Sequence, residues 1–328
     1  MNFWQKLNKP IFALAPMANV TDAAFRRVIA KYGKPDVMWT EFVSADGLAL
    51  APEAGRKKLL ANLIYSEAER PIVAQFFTSS PEYMRQAAAL ARELGFDGVD
   101  INMGCPDRSI EKQGAGAALM KNPSLARKVL QAAKEGAGKL PVSVKTRIGY
   151  SQPELENWLL EILKEEPAAV IIHARTRKEM SKTLARWEFV RRAVEIRNAS
   201  GKETFIFGNG DVGDLNEART RVIETSCDGV MLGRAIFGNP WLFSRGKRSD
   251  LKYEFSRSDL EEQLKVLIEH VRLFEELLGE YKNFAIMKKH FKAYISDFKG
   301  AVDLRAKLMK TCNTDEVERV IFEFLKVM

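Results

Sequence analysis

The chain has 328 residues, which excludes a single small domain and leaves room for a segment beyond a (β/α)₈ barrel of about 250 residues. Hydrophobic residues make up 46% of the chain and charged residues 29%, so a large core can be buried beneath a hydrated surface. The formal net charge of +8 and the pI near 9.2 favour a polyanionic partner, because a basic field speeds encounters with nucleic acid or an anionic membrane.

Cysteine content and hydropathy exclude two further classes of protein. Cys105, Cys227 and Cys312 are an odd number of cysteines in a long chain, which argues against a disulfide framework and fits a reducing cytosol. The first ten residues do not resemble a signal peptide, and no stretch approaches the roughly 20 apolar residues that a membrane span needs. We therefore expect a cytoplasmic protein with no membrane association.

Short apolar runs rich in β-forming residues alternate with helical patterns along the first three quarters of the chain. Such alternation predicts βαβ units and a parallel sheet. Eight units favour a closed (β/α)₈ TIM barrel over an open doubly wound sheet, and no Gly-x-Gly-x-x-Gly motif follows the first strand. The predicted strands span residues 11–15, 36–40, 72–76, 98–101, 142–146, 169–173, 204–207 and 229–232.

The composition changes after residue 243. A charged, turn-rich stretch over 244–258 predicts a linker, and residues 259–328 have helical patterns without strand candidates. We therefore predict a catalytic barrel over 1–243 and a small, all-helical C-terminal domain over 259–328.

One part of this predicted domain combines an apolar and a basic face. Apolar residues recur at helical spacing and predict a face packed on a core, namely Phe284, Met287, Phe291, Tyr294 and Phe298. Lys288, Lys292 and Lys299 are predicted to share another face, which suits a phosphate backbone. An ordinary solvated helix face is the alternative.

Polar residues stand at the predicted carboxyl ends of the strands, where barrels of this class have their active sites. Amide, ammonium and imidazole groups at one rim predict a site for a polar heteroaromatic ligand. Glycine-rich turns after the last two strands predict a phosphate site, to which Arg234 adds a positive charge. The strand-end residues are Met17, Glu41, Gln75, Asn102, Lys145, His173, the turn 208–211, and Gly233 with Arg234.

Cys105 lies in a Gly-Cys-Pro turn directly after the fourth strand, which predicts that its side chain faces the pocket. Nucleophilic catalysis would require a nearby base and a low pKa. An unperturbed cysteine, with a pKa of about 8.5, is mostly a thiol at neutral pH and suits general-acid catalysis. Cys227 and Cys312 are expected to be buried and inert. The scattered histidines predict no metal site.

Taken in order, these motifs resemble the bacterial tRNA-dihydrouridine synthase family over nearly the whole chain. The most distinctive one is Asn102-Met103-Gly104-Cys105-Pro106. The others are residues 15–22 with Phe25 and Arg26, 114–119, 145–147, 173–177, 208–211, 233–234 with Pro240 and Trp241, and Met287-Lys288-Lys289-His290 in the C-terminal segment.

The resemblance implies an FMN-dependent enzyme that reduces the C5=C6 bond of specific tRNA uridines to dihydrouridine, with NADPH regenerating the reduced flavin and Cys105 as the proton donor. It implies that Asn102 and Arg147 hold the uracil, that Arg175 and Arg177 lie on the RNA side, and that tRNA is the partner. A monomer is the default expectation and does not follow from the resemblance. We also expect Lys288, Lys289 and Lys292 to bind the RNA. The residues implied for FMN are Pro16, Met17, Ala18, Gln75, Lys145, His173, Asn209, Gly210, Asp211, Gly233 and Arg234.

Two departures from the family pattern and two alternative functions accompany this interpretation. Asn19 stands where the family usually has glycine, and asparagine tolerates turn conformations. The segment 178–182 is unusually basic, which leaves the detailed RNA contacts open. One alternative is an FMN barrel of the dihydroorotate dehydrogenase or old yellow enzyme kind, acting on a small molecule, which leaves the basic tail unexplained. The other is an RNA-binding or chaperone protein with a vestigial flavin, against which the intact Cys105 argues.

Overall fold

The computed structural model describes residues 2–244 and 256–327. In the first of these ranges, eight parallel strands alternate with helices. The strands are Ile11–Leu14 (β1), Met38–Ser44 (β2), Ile72–Phe77 (β3), Gly98–Met103 (β4), Val142–Arg147 (β5), Ala169–His173 (β6), Phe205–Asn209 (β7) and Gly229–Leu232 (β8).

The strands follow one another around a ring. Hydrogen bonding runs in the order β1-β8-β7-β6-β5-β4-β3-β2, and a parallel bridge between Ala13 and Val37 connects the two ends. This arrangement confirms the predicted (β/α)₈ TIM barrel. It also places β4 and β8 on opposite sides of the ring.

Five strands, β2, β3, β4, β5 and β7, extend further toward their carboxyl ends than the sequence predicted. Glu41, Asn102 and Asn209, which were expected to follow their strands, lie inside β2, β4 and β7. The prediction of these strand ends was wrong because it ended each strand where the run of apolar and β-forming residues stopped. These polar side chains are buried, and they continue the strands at the carboxyl end of the barrel.

Helices surround the barrel, and several of them begin at residues suited to capping. The side chains of Asp22, Ser80, Asn122 and Asp214 each accept a hydrogen bond from a backbone N–H of the first turn, which satisfies one of the donors left free there. The helices are Ala23–Tyr32 (α1), Ala45–Leu50 (α2), Glu53–Ala61 (α3), Pro81–Glu93 (α4), Arg108–Glu111 (α5), Pro123–Ala137 (α6), Leu155–Leu163 (α7), Glu188–Ala199 (α8) and Leu215–Thr225 (α9).

The inside of the barrel changes from apolar to polar along the strands. At the amino-terminal end the Trp4 ring fills the opening, 5.9 Å from the ring of Trp39 and 5.4 Å from that of Phe207. Side chains alternate along a strand, so Asn209 faces the same side as Phe207. The inward-facing side chains are therefore apolar at the amino-terminal end of the barrel and polar at the carboxyl end. The pocket lies at the polar end.

The C-terminal segment forms four helices in residues 256–327, which pack on the barrel through α1. They are Arg257–Leu278 (α10), Met287–Tyr294 (α11), Ala301–Leu308 (α12) and Thr314–Val327 (α13). Ala24 and Val28 of α1 share a buried cluster with Leu264 and Leu267 of α10. Most of the predicted linker, residues 245–255, lies outside the described residues. Ser256 caps α10, so this helix begins two residues before the predicted domain boundary.

The apolar face predicted in this segment is confirmed, and the basic face is corrected in part. Met287, Phe291 and Tyr294 are buried in the helical core. Lys299 does not share a helix face with Lys288 and Lys292, because α11 ends at Tyr294 and the chain turns before α12.

Three further features of the described residues concern cysteine pairing, metal ligands and membrane-spanning helices. All three cysteines are free, and Cys312 is exposed, contrary to the prediction, because it lies in the turn between α12 and α13. Within residues 2–244 and 256–327, no group of His, Cys, Asp and Glu side chains could hold a metal ion. Over these ranges, no helix combines the length and the apolar character that crossing a membrane requires.

Candidate active site

A cavity of about 660 Å³ lies at the carboxyl ends of the strands. Its volume is typical of a small-molecule or cofactor site. Ala18, Arg177, Lys288, Lys289 and Lys292 are not among its lining residues. The predicted site residues that line it are Pro16, Met17, Gln75, Asn102, Cys105, Lys145, Arg147, His173, Arg175, Asn209, Gly210, Asp211, Gly233 and Arg234.

Cys105 is held on one side of the cavity by its own backbone. Its N–H donates to Asn102 Oδ1 at 2.9 Å, and its carbonyl oxygen accepts from the Ala117 N–H at 3.0 Å. Gly116 has a φ of 61°, and a Cβ there would lie 2.9 Å from the Cys105 carbonyl oxygen. The Gly114–Leu119 motif thus supports the Cys105 turn from behind. Burial raises the pKa of the Cys105 thiol, so the side chain keeps its proton at neutral pH.

Two arginines brace the same turn. Arg147 Nε donates to the Gly104 carbonyl oxygen at 2.7 Å. Arg177 Nη2 lies 3.4 Å from the Pro106 carbonyl oxygen, and Arg177 Nε donates to Glu111 at 2.8 Å. Arg177 was expected on the RNA side, whereas here it contacts the Cys105 turn.

Lys145 and Asn209 form a polar pair inside the cavity. Lys145 Nζ donates to Asn209 Oδ1 at 3.1 Å, and Asn209 Nδ2 donates to the Met231 carbonyl oxygen at 2.7 Å. Burial, aided by the nearby charge of Arg147, lowers the pKa of Lys145 to about 8. Asn209 is thereby oriented, and Lys145 presents hydrogen-bond donors to the cavity.

His173 is neutral, and its neighbour fixes which ring nitrogen carries the proton. Burial, followed by the charges of Arg147, Lys145 and Arg175, lowers the His173 pKa well below its usual value. Arg175 Nη1 lies 2.9 Å from His173 Nε2. Because a guanidinium can only donate, Nε2 must accept, which leaves the proton on Nδ1.

The turn after β7 and the residues after β8 form the other end of the cavity. Gly210 has a φ of 127°, which a larger residue adopts only with strain. Asp211 forms ion pairs with the buried Arg175 and with Arg234, whose Nη2 lies 2.7 Å from Oδ1. Hydrogen bonding from Arg175 lowers the pKa of Asp211. Arg175, expected on the RNA side, is thus bound to Asp211 in the cavity wall.

This end of the cavity fits a phosphate-bearing group. The Arg234 side chain, which is paired with Asp211, is 66% exposed and brings guanidinium donors suited to an anion to this end of the cavity. A Cβ at Gly233 would meet only Ala15 Cβ at 3.6 Å and Met17 Sδ at 3.7 Å, so the backbone there is open to close approach.

The structure adds contacts that the sequence did not reveal. Phe42 lines the cavity and packs edge-on against Phe77, with ring centroids 5.8 Å apart. It was missed because β2 was predicted to end at residue 40. Lys282 of the helical tail forms an ion pair with Glu41, and Glu41 also accepts the Asn19 N–H beside the cavity.

Asn19 and two lysines of the tail lie on the surface near this contact. The φ of Asn19 is 54°, which confirms that this asparagine tolerates a left-handed turn conformation. Lys289 Nζ lies 3.4 Å from the Asn19 carbonyl oxygen. Lys289 and Lys292 are exposed, whereas Lys288 is half-buried.

The fold and the cavity define a (β/α)₈ barrel with a polar pocket at the carboxyl ends of its strands and with a cysteine at one wall. The family model described as Dihydrouridine synthase (Dus) matches residues 13–326. The chain belongs to this flavin-dependent family of oxidoreductases, which reduces uridine in tRNA.

Individual relatives agree with this family. The chain is 38% identical over 329 residues to "Probable tRNA-dihydrouridine synthase 2" of Bacillus subtilis (strain 168), covering 98% of this chain and 96% of that protein. It is 37% identical over 325 residues to "Probable tRNA-dihydrouridine synthase" of Staphylococcus aureus (strain COL), covering 98% and 95%.

A solved structure of a 2-naphthoyl-CoA reductase in complex with 2-naphthoyl-CoA shares the fold. The TM-score is 0.54 with 11% sequence identity, and the match covers 71% of this chain. The match spans 49% of the reductase chain. At this level of identity the likeness concerns the fold alone.

Proposed function

We propose that this enzyme reduces uridines of tRNA to 5,6-dihydrouridine, with FMN as its flavin, NADPH as the reductant and Cys105 as the proton donor. The observation that carries the proposal is the position of Cys105. It is a protonated thiol on the β4 wall, across the barrel from the phosphate-binding features after β7 and β8.

The cavity residues fit FMN on chemical grounds. Gly210, Gly233 and Arg234 would bind the phosphate. Lys145 and the Nδ1–H of His173 are donors suited to the N1/C2 carbonyl edge of the ring, where negative charge gathers on reduction. The remaining proposed contacts are Pro16, Met17, Ala18, Gln75, Asn209 and Asp211. When bound, reduced FMN would supply a hydride to C6 of the uracil.

Cys105 completes the reduction on the other carbon. The C5=C6 bond of uracil is conjugated to the C4 carbonyl, so negative charge develops on C5 and O4 as C6 gains hydride. The thiol gives its proton to C5 and becomes a thiolate, which the nearby charges of Arg147 and Lys145 stabilise. We propose that Asn102 and Arg147 also position the uracil.

The RNA would be held by positive charge outside the cavity. The target uridine must leave its stack to enter the pocket. Lys289 and Lys292 are exposed on the tail, and Lys289 contacts Asn19 at the barrel surface. We propose that these two lysines and Lys288 bind tRNA phosphates, and that the enzyme works as a cytoplasmic monomer.

The test begins with the visible spectrum of the purified protein, followed by incubation with unmodified tRNA and NADPH. Mass spectrometry should show a gain of two hydrogens on a uridine. Cys105→Ala should lower this rate by roughly 10²- to 10⁴-fold, whereas the exposed Cys312→Ala should not change it. A flavoprotein that oxidises NADPH but leaves every tRNA unchanged would contradict the proposal and favour a small-molecule substrate.

A further inference from the structure

Asp100 is a buried carboxyl group to which the proposed chemistry assigns no role. It lies in β4, two residues before Asn102, and its side chain faces the inside of the barrel beneath the cavity. It is 0% exposed. Burial raises its pKa to about 6, while Ser143, Gln75, Lys145 and Trp39 act in the opposite direction. Asp100 is ionised above this value.

Both oxygens of Asp100 accept hydrogen bonds from neighbouring strands. Ser143 Oγ of β5 donates to Oδ1 at 2.5 Å. Gln75 Nε2 of β3 donates to Oδ2 at 2.6 Å. An ionised carboxylate can only accept, so it forces the Gln75 amide to present its nitrogen to Asp100 and its oxygen elsewhere.

The orientation of the Gln75 amide fixes that of the Asn102 amide, which in turn accepts hydrogen bonds from the Cys105 turn. Gln75 Oε1 accepts from Asn102 Nδ2 at 3.1 Å. Asn102 must then direct Oδ1 at the turn, where it accepts from the Gly104 N–H at 3.1 Å and the Cys105 N–H at 2.9 Å. If the two amides were reversed, Asn102 would present an NH₂ group to two N–H donors, and the turn would lose both hydrogen bonds.

We propose that Asp100 is a positioning residue that fixes the direction of the Gln75 and Asn102 amides and thereby holds the Cys105 turn in place for proton donation. The proposal rests on the proposed function for the part that concerns catalysis. The hydrogen-bond direction itself can be tested without any activity.

The hydroxyl of Ser143 makes the test specific. A hydroxyl can donate or accept, so Asp100→Asn can keep the amide direction by donating its NH₂ to Ser143 and accepting from Gln75. Ser143→Ala removes one donor but leaves an accept-only carboxylate, so the direction is kept again. In the double variant the new NH₂ has lost Ser143 as an acceptor, and donation to Gln75 Oε1 favours the reversed direction.

The expected result is therefore strongly non-additive. Each single variant should change kcat for tRNA reduction by less than about threefold, and the double variant should lower it by about tenfold or more. Hydrogen exchange at Gly104 and Cys105, measured by mass spectrometry on the holoenzyme, should lose protection in the double variant only. If Asp100 contributed only to the overall stability, the effects of the two substitutions on kcat would be additive. Exchange at Gly104 and Cys105 would then change only as much as global unfolding does.

Ser143→Ala by itself provides a second arm if the double variant does not fold. When Asp100 takes up a proton, at or somewhat above the wild-type value of about 6, its new O–H can be satisfied only by Gln75, because Ser143 is gone. As the pH is lowered, the hydrogen-exchange protection of the Cys105 N–H should therefore decrease in Ser143→Ala and not in the wild type. Lys145 is the charged group that acts on Asp100 here, and it stays protonated below its pKa of about 8.

The outcomes separate this proposal from the proposed function. Additive kinetics together with unchanged exchange at Gly104 and Cys105 in the double variant would overturn the role of Asp100. If the wild-type enzyme reduced no tRNA uridine, the proposed function would fail, while the exchange measurements would still decide whether Asp100 orients the amides.

Discussion

Replacing Lys282 with methionine would remove the cation from a buried ion pair between the helical tail and the barrel. The side chains of Lys282 and Glu41 are 9% and 4% exposed. Once Lys282 is gone, the Glu41 carboxylate keeps the Asn19 N–H as its recorded hydrogen-bond partner. Asp22 lies nearby and is also buried, and its pKa is raised to about 6 by that burial and by Glu41, against the charge of Lys282.

The magnitude follows from the burial of this pair. Removing one partner of a buried ion pair costs about 3–5 kcal/mol, because the other charge stays buried without compensation. We expect Lys282→Met to lower the free energy of unfolding by this amount at neutral pH. The additional variant Lys282→Met/Glu41→Gln should recover most of the loss, since glutamine removes the charge and can still accept the Asn19 N–H.

A second ion pair between the same two parts of the chain gives a matched control. Lys31 of α1 and Glu269 of α10 are 2.8 Å apart, but their side chains are 58% and 30% exposed. An exposed pair of this kind contributes about 0–1 kcal/mol. Lys31→Met should therefore cost little, although it removes an ion pair across the same interface.

Urea titration monitored by tryptophan fluorescence and by circular dichroism measures both effects. We expect a clear difference in the free energy of unfolding between the two lysine variants and a recovery in the double variant. The buried ion pair does not stabilise the protein as described if Lys282→Met costs no more than Lys31→Met, or if the addition of Glu41→Gln restores nothing.

Further predictions concern the proton donor, the turn that carries it and the tail. Because burial raises the pKa of the Cys105 thiol, stopped-flow oxidation of the reduced flavin by tRNA should stay constant in neutral solution. The rate should fall only where Lys145, with a pKa of about 8, and then the thiol lose their protons; a fall below pH about 7, far under the ordinary thiol value of about 8.5, would contradict this role. Glu111→Gln removes the counter-charge of Arg177 beside the Cys105 turn and should lower kcat about tenfold in steady-state assays; a rise in KM for tRNA alone would instead indicate that Arg177 binds RNA. Lys289→Met and Lys292→Met should each raise KM for tRNA and reduce the salt dependence of binding by about one unit of slope, with NADPH oxidation unaffected; unchanged slopes would exclude these lysines from the RNA contact.

The sequence by itself determined the barrel and most of the cavity. Strand–helix alternation is a local property of the sequence, and a strand buried on both faces shows as a run of apolar residues. Ala169–His173 is such a strand, and its predicted bounds are those of the structure. A barrel then brings its strand ends to one rim, so the residues that line the cavity could be named from their positions along the chain. Gln75, Lys145 and His173 were found in this way.

The tertiary structure decided which of these groups bind one another. Arg175 and Arg177 look alike in the sequence, yet one binds Asp211 in the cavity wall and the other binds Glu111 beside the Cys105 turn. Partners from distant segments depend on how loops and helices pack, and spacing along the chain does not encode that packing. For the same reason, the ion pair between Lys282 and Glu41, 241 residues apart, was not foreseen. Whether a lysine is free to meet RNA or is buried in an ion pair is settled only when the tail and the barrel come into contact.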